Sequence, residues 1–155
     1  MSELYNRFSE AYKALEQGDV SKMEELFAED IVFTTPERTM HGRDEAISRF
    51  KANQAAFAGM ELHVDYETMV VDAGDSCAVE FVITGRFAGA LDTTKSISDD
   101  SAPDEMAATG VAFSLRTTDH VWWRDGKIYR FNVYYDPGEM IRQLKDADAR
   151  AAEPA

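Results

Sequence analysis

The sequence predicts an α+β fold: a cone-shaped, strongly curved sheet, mixed or antiparallel, wrapped on three N-terminal helices and followed by a short C-terminal helix. Three observations carry this. From Glu3 to Phe57 apolar residues recur mainly at helical spacing, with one short β-like run between. From Glu61 onward the period changes to alternation, as strands require. The stretch Thr117–Leu144, TTDHVWWRDGKIYRFNVYYDPGEMIRQL, sets Asp125-Gly126 between two apolar-aromatic runs. That is a hairpin signal, because both central residues of the favoured turn need positive φ. Helices and strands are segregated along the chain, which is the α+β pattern.

Each element follows in order. Residues 3 to 16 place Leu4, Tyr5, Phe8, Ala11, Tyr12 and Leu15 on one helical face. Gly18 ends that helix and Asp19 can cap the next, whose pattern Val20, Met23, Leu26, Phe27 runs to about Ala28. Ile31 to Thr35 reads as a short strand stopped by Pro36, with a loop running to Gly42. Arg43 to Phe57 is a third helix, facing inward with Ala46, Ile47, Phe50 and Phe57. Four strands follow: Glu61–Val71, Ser76–Phe87, Val111–Arg124 and Lys127–Tyr135. The last helix starts with Asp136 as N-cap, Pro137 in the first helical position and Glu139 where a capping box wants a carboxylate. Residues 88–110, rich in Ser, Thr, Asp and Ala, read as a long mobile loop at the sheet rim. The tail from Asp146 to Ala155 is expected to fray.

Composition narrows the function. A chain of 155 residues with 45% hydrophobic content is expected to form one domain, spanning 1–145. A net charge of −13 argues against nucleic acid and anionic membrane surfaces, which need a basic patch. No apolar run resembles a signal or membrane span. Cys77 is the single cysteine, so a reducing, cytoplasmic setting is expected, with Cys77 as a core thiol. His41, His63 and His120 lack metal-ligand spacing, and the acids of 88–110 lack a calcium-loop pattern, so neither metal nor cofactor is expected.

Alternation selects a site. On the third long strand Val111, Phe113, Leu115, Thr117, Asp119, Val121 and Trp123 share a face, apolar except at Thr117 and Asp119. Across the turn, Tyr129, Phe131, Val133 and Tyr135 form the matching face. A strongly bent sheet leaves a cone whose open end can hold a small, mostly apolar ligand. Asp119 is then a carboxylate on a core face, which needs a partner or a raised pKa and is the candidate catalytic residue. Tyr12, Phe33, Thr35, Tyr66, Phe113, Thr117, Trp123, Tyr129, Phe131, Val133 and Tyr135 are the candidate substrate contacts. Arg38, Met40 and His41 fall near the expected mouth. His120, with Arg116, Trp122, Arg130 and Tyr134, belongs to the outer face, which suits a homodimer contact.

The pieces EQGDVSKMEELFAEDIVF, HGRDEAISRF, TGRF…ATG and HVWWRDGKI…YYDPGEMIRQL resemble the SnoaL-like polyketide cyclase group of the nuclear-transport-factor-2-like superfamily. The resemblance covers nearly the whole chain and implies the cone fold and a small-molecule pocket. It also implies absences. Cyclases of this group use an aspartate on the last strand, where this chain has Val133, and related epoxide hydrolases use an acid at the same place. Ketosteroid-isomerase-like members carry a base just before the Pro of the first strand, where this chain has Thr35. Asp119 matches a position that often carries a polar pocket residue.

Three readings stand. The first is an enzyme doing cofactor-free acid/base chemistry of cyclase, isomerase or dehydratase type on a small hydrophobic carbonyl compound. The second is a binder of a small apolar metabolite, with Asp119 fixing its polar end. The third is a dimeric interaction protein with a vestigial, filled cone.

Overall fold

The computed structural model describes residues 1–64, 69–87, 91–92, 105–106 and 110–151. Helix α1 (Glu3–Glu16) is capped by Ser2, whose hydroxyl accepts the Tyr5 N–H. It ends in a Schellman motif. Gly18 takes φ +82, the Gly18 N–H donates to Leu15 and the Asp19 N–H donates to Ala14. Asp19 then accepts the Ser21 N–H at the start of α2 (Ser21–Leu26). That helix is shorter than its periodicity suggests: Phe27 and Ala28 already belong to β1 (Phe27–Thr34). Phe27 satisfies either period, and pairing with Ile128 decides for the strand.

The segment expected as a loop before Gly42 contains a short strand, β2 (Thr39–His41), antiparallel to β1. A tight turn forms it, with Thr35 N–H donating to the Arg38 carbonyl. After α3 (Arg43–Ala56), the expected single strand Glu61–Val71 is two, β3 (Phe57–Val64) and β4 (Val70–Asp72), both antiparallel to β5 (Ser76–Phe87). Phe57 thus opens a strand rather than closing a helix. Residues 88–110 are not wholly without strands: β6 (Leu91–Asp92) and β7 (Glu105–Met106) pair antiparallel, and the rest of the expected loop lies largely outside the described residues. β8 (Ala112–Arg124) and β9 (Lys127–Tyr134) form the hairpin, with positive φ at both Asp125 and Gly126. The final helix, α4 (Pro137–Ala151), runs into the tail expected to fray. Asp136 caps it by accepting the Gly138 N–H, but the capping box does not form. Glu139 instead accepts from Arg142 and Gln143, one turn on.

The main sheet is mixed, in the order β2-β1-β9-β8-β5-β3, with β4 also on β5. β1 and β9 are the parallel pair. Irregularities in the β1–β9 and β8–β9 ladders bend it, as bulges do. α1 lays Tyr5, Phe8, Ala11 and Leu15 on its concave face. Phe8, Phe27, Phe33, Phe50 and Phe131 pack edge-to-face or tilted against one another, with Phe33 and Phe50 stacked, closing one end of the cone. Among the described residues no helix is long and apolar enough to cross a membrane.

Candidate functional site

The concave side of the sheet encloses a cavity with about 850 Å³ of atom-free space, part of it open to solvent. Its wall is mostly apolar: Leu15, Phe33, Phe50, Phe81, Ile83, Phe113, Leu115, Val133 and Met140. β8 supplies the polar part. Burial alternates along this strand, so Phe113, Leu115, Thr117 and Asp119 share the inner face. Asp119 is flanked across the ladders by Val79 on β5 and Val133 on β9, two hydrocarbons that offer it no hydrogen bond.

Asp119 is fully buried. The Tyr12 hydroxyl, reaching in from α1, donates to Oδ2, while Oδ1 has no partner among the described residues. Burial pushes the carboxyl up to about 8, and the Tyr12 hydrogen bond opposes only part of that rise. Tyr12 is also raised well above the usual phenol range, first by burial and then by Asp119. Neither group is ready to ionise at neutral pH. With Oδ2 accepting from Tyr12, the neutral acid can turn its O–H toward the cavity through Oδ1. Thr117, two residues along, is also buried and its Oγ1 has no partner among the described residues.

A second polar group lines the wall. Arg49 is buried on α3 and its Nη2 donates to the Tyr135 hydroxyl at 3.0 Å. Tyr135 in turn donates to Glu37. The Arg49 and Glu37 charges stand 3.9 Å apart with side chains only 6% and 3% exposed, so the tyrosine bridges a buried ion pair. Burial drives the Tyr135 phenol upward.

The candidate contacts divide. Tyr12, Phe33, Thr35, Phe113, Thr117, Val133 and Tyr135 line the cavity with Asp119. Trp123 and Phe131 do not; both lie in the packed aromatic core, Trp123 beside Phe8 and Phe131 between Phe27 and Phe33. Tyr129 does not line the cavity either. The β8–β9 ladder pairs Trp122 with Arg130 but Trp123 with Ile128, so an extra residue interrupts the alternation. Ile128 takes the inward place and Tyr129 lies half-buried under the Arg124 guanidinium, 5.0 Å from its ring centre. Tyr66 lies outside the described residues. Near the expected mouth, Met40 is core and His41 is exposed.

Arg49 was missed, and a signal existed: it is three residues after Ala46, on the face of α3 that packs inward. Glu37 gave none, since its burial depends on a turn that returns it to Tyr135. His120 lies on the outer face as the pleat requires, edge-on to Tyr134 at 5.3 Å between ring centres, and Arg130 stacks over Trp122. Cys77 is buried and its thiol is pushed up to about 12, which makes it a poor nucleophile.

Residues 8–131 match the model of the SnoaL-like domain. No curated protein matches the chain. Among solved structures, a candidate SnoaL-like polyketide cyclase from Jannaschia sp. CCS1 superposes with a TM-score of 0.75 at 14% identity, covering 97% of this chain and 93% of that one. IdmH, a candidate polyketide cyclase from Streptomyces antibioticus, gives 0.67 at 24% identity over 92% and 99%. An LEH-like epoxide hydrolase from M. tuberculosis gives 0.66 at 12% identity over 99% and 97%. At these identities the likeness is one of fold, the nuclear-transport-factor-2-like cone.

Proposed function

The chain belongs to the SnoaL-like family, and we propose that it performs cofactor-free acid/base chemistry on a small hydrophobic carbonyl compound of polyketide-like character, with Asp119 as the group that gives or takes the proton. One observation carries this: a buried carboxyl with a raised pKa, one of its oxygens without a partner among the described residues, stands in the wall of an apolar cavity. Below about pH 8 the neutral acid can give its proton to a carbonyl oxygen and, as the carboxylate so formed, take the α-carbon proton, which leaves an enol and the acid restored; above it, the carboxylate can take the α-carbon proton directly, which leaves an enolate and the neutral acid. Cyclisation, isomerisation and dehydration all need that step. Neighbours of this fold described as polyketide cyclase or epoxide hydrolase support a pocket function of this general kind.

Val133 supports a second reading. It pairs directly with Asp119 across the ladder, so the place where resembling cyclases carry their acid is a hydrocarbon wall. Asp119 would then anchor the polar end of an apolar metabolite without chemistry. The open cavity weighs against a vestigial, filled cone. The outer face, with Tyr134 50% and Val71 69% exposed beside His120 and Trp122, supports a homodimer contact. The lone buried thiol supports a reducing, cytoplasmic setting.

The deciding experiment is an NMR titration of selectively labelled Asp119, alone and with small aromatic carbonyl compounds, alongside turnover of those compounds by wild type and Asp119→Asn. A midpoint near 8 that ligands move, with turnover lost in the variant, is expected. A midpoint that ligands move without any turnover selects the binder. A midpoint at the ordinary carboxylate value, indifferent to ligands, sinks both readings.

A further inference from the structure

Thr117 has a side chain with no local way to satisfy itself. It is 2% exposed, yet its hydroxyl has no partner among the described residues. In a helix a threonine can turn back to a carbonyl in the preceding turn, but on a central strand those carbonyls belong to the ladder. Its cross-strand neighbour on β5 is Phe81, and along the inner face of β8 its neighbours are Leu115 and Asp119. The Tyr135 hydroxyl, on the wall of the same cavity, is engaged by Glu37 and Arg49. A buried hydroxyl without a partner costs free energy comparable to a lost hydrogen bond. Thr117 and Asp119, the two β8 residues that carry an unpartnered buried oxygen among the described residues, line the same cavity.

We infer that Thr117 is a specificity-determining residue, whose hydroxyl forms with Asp119 a two-donor cradle for a single carbonyl oxygen of the ligand. This rests on the reading of the cavity given above. The spacing suits it. Residues two apart on one strand face are separated by roughly 7 Å. One oxygen accepting two hydrogen bonds of about 2.8 Å holds its donors about 5 Å apart, a difference within the reach of an aspartate rotamer. A carbonyl oxygen has two lone pairs and so accepts both, whereas an alkene has no acceptor to offer the pair. The ligand class is therefore an apolar ketone or aldehyde, discriminated by its oxygen rather than by shape. Charge that develops on that oxygen would meet two donors already in place.

The test uses the full chain with 2-acetylnaphthalene carrying a ¹³C carbonyl, and 2-isopropenylnaphthalene as its hydrocarbon isostere. Affinity is measured by titration and the bound carbonyl stretch by isotope-edited infrared. Thr117→Val should weaken the ketone about tenfold, leave the hydrocarbon unchanged, and move the stretch to higher wavenumber. Thr117→Ser should restore both readouts. Asp119→Asn should also move the stretch but abolish its dependence on pH, whereas Thr117→Val should keep that dependence. Equal ketone affinity and an unmoved stretch in Thr117→Val overturn the inference while leaving the cavity reading intact. If wild type binds neither compound, the cavity reading fails and this inference fails with it.

Discussion

The two ends of the cone use the same strands differently. On β8, Val121 and Trp123 point into a closed end filled by Phe8, Phe27 and Phe131; a few residues earlier, Thr117 and Asp119 point into an open one. The closed end is hydrocarbon against hydrocarbon. At the open end, the buried polar residues Thr35, Arg49, Thr117 and Asp119 all line the cavity, while Asn132 alone of that buried set sits elsewhere, donating to Tyr134. Polar burial that gains nothing in packing has been concentrated where a ligand can reach it. The lesson is that the closed end stabilises the fold, whereas the open end lowers stability and carries the polar groups on which the proposed chemistry rests.

Four changes break or sharpen that contrast. The largest effect is expected at Asp119. Its carboxyl is raised from an ordinary value of 3.8 to about 8, so between those pH values the folded state holds a proton that the unfolded state has released. Stability therefore falls as pH rises from about 4 to about 8, with a ceiling on the order of 5 kcal/mol. Asp119→Asn removes this slope, so denaturant unfolding should show the variant more stable than wild type at pH 8 and little changed at pH 4. Equal slopes would show that Asp119 is solvated.

At the closed end Phe131→Ala should cost about 3–5 kcal/mol in the same assay, because the aromatic cluster cannot collapse to fill the space. The NMR midpoint of Asp119 should not move. A moved midpoint would mean the two ends are not separable.

Tyr12→Phe removes the hydrogen bond that lowers the Asp119 pKa and leaves Oδ2 without its donor. The midpoint should rise further, and stability at neutral pH should fall by about 1 kcal/mol. The direction of the midpoint is the sensitive readout, since a merely steric tyrosine would not shift it.

The smallest effect tests the turn rather than the site. Gly126 has φ +73, so Gly126→Ala should cost about 1 kcal/mol with binding and titration unchanged.

Much of this was legible beforehand. The turn Asp125-Gly126 was readable because its φ requirement is local, and the ranges of α1 and β5 because their periods are unambiguous. Asp119 stood out as an acid within an apolar alternation. Tyr129 was placed inward by the same alternation, wrongly, because a bulge shifts the phase and nothing in β9 alone announces it. Phe131 and Trp123 were on the right face but at the wrong depth. Period tells which side of a sheet a residue faces; it does not tell how far from the mouth it lies.

The sequence by itself determined the succession of helices before the long strands, the hairpin, the cap at Asp136 and the face that carries Asp119, because each depends on residues within a few positions of one another. Only the tertiary structure decided that Tyr12 meets Asp119, that Glu37 and Arg49 meet through Tyr135, and that Val133 stands opposite the acid. These contacts join residues about 14 to 107 positions apart. Their formation depends on how far the sheet bends and which helix covers which end, and those are set by the packing of the whole core rather than by any local pattern.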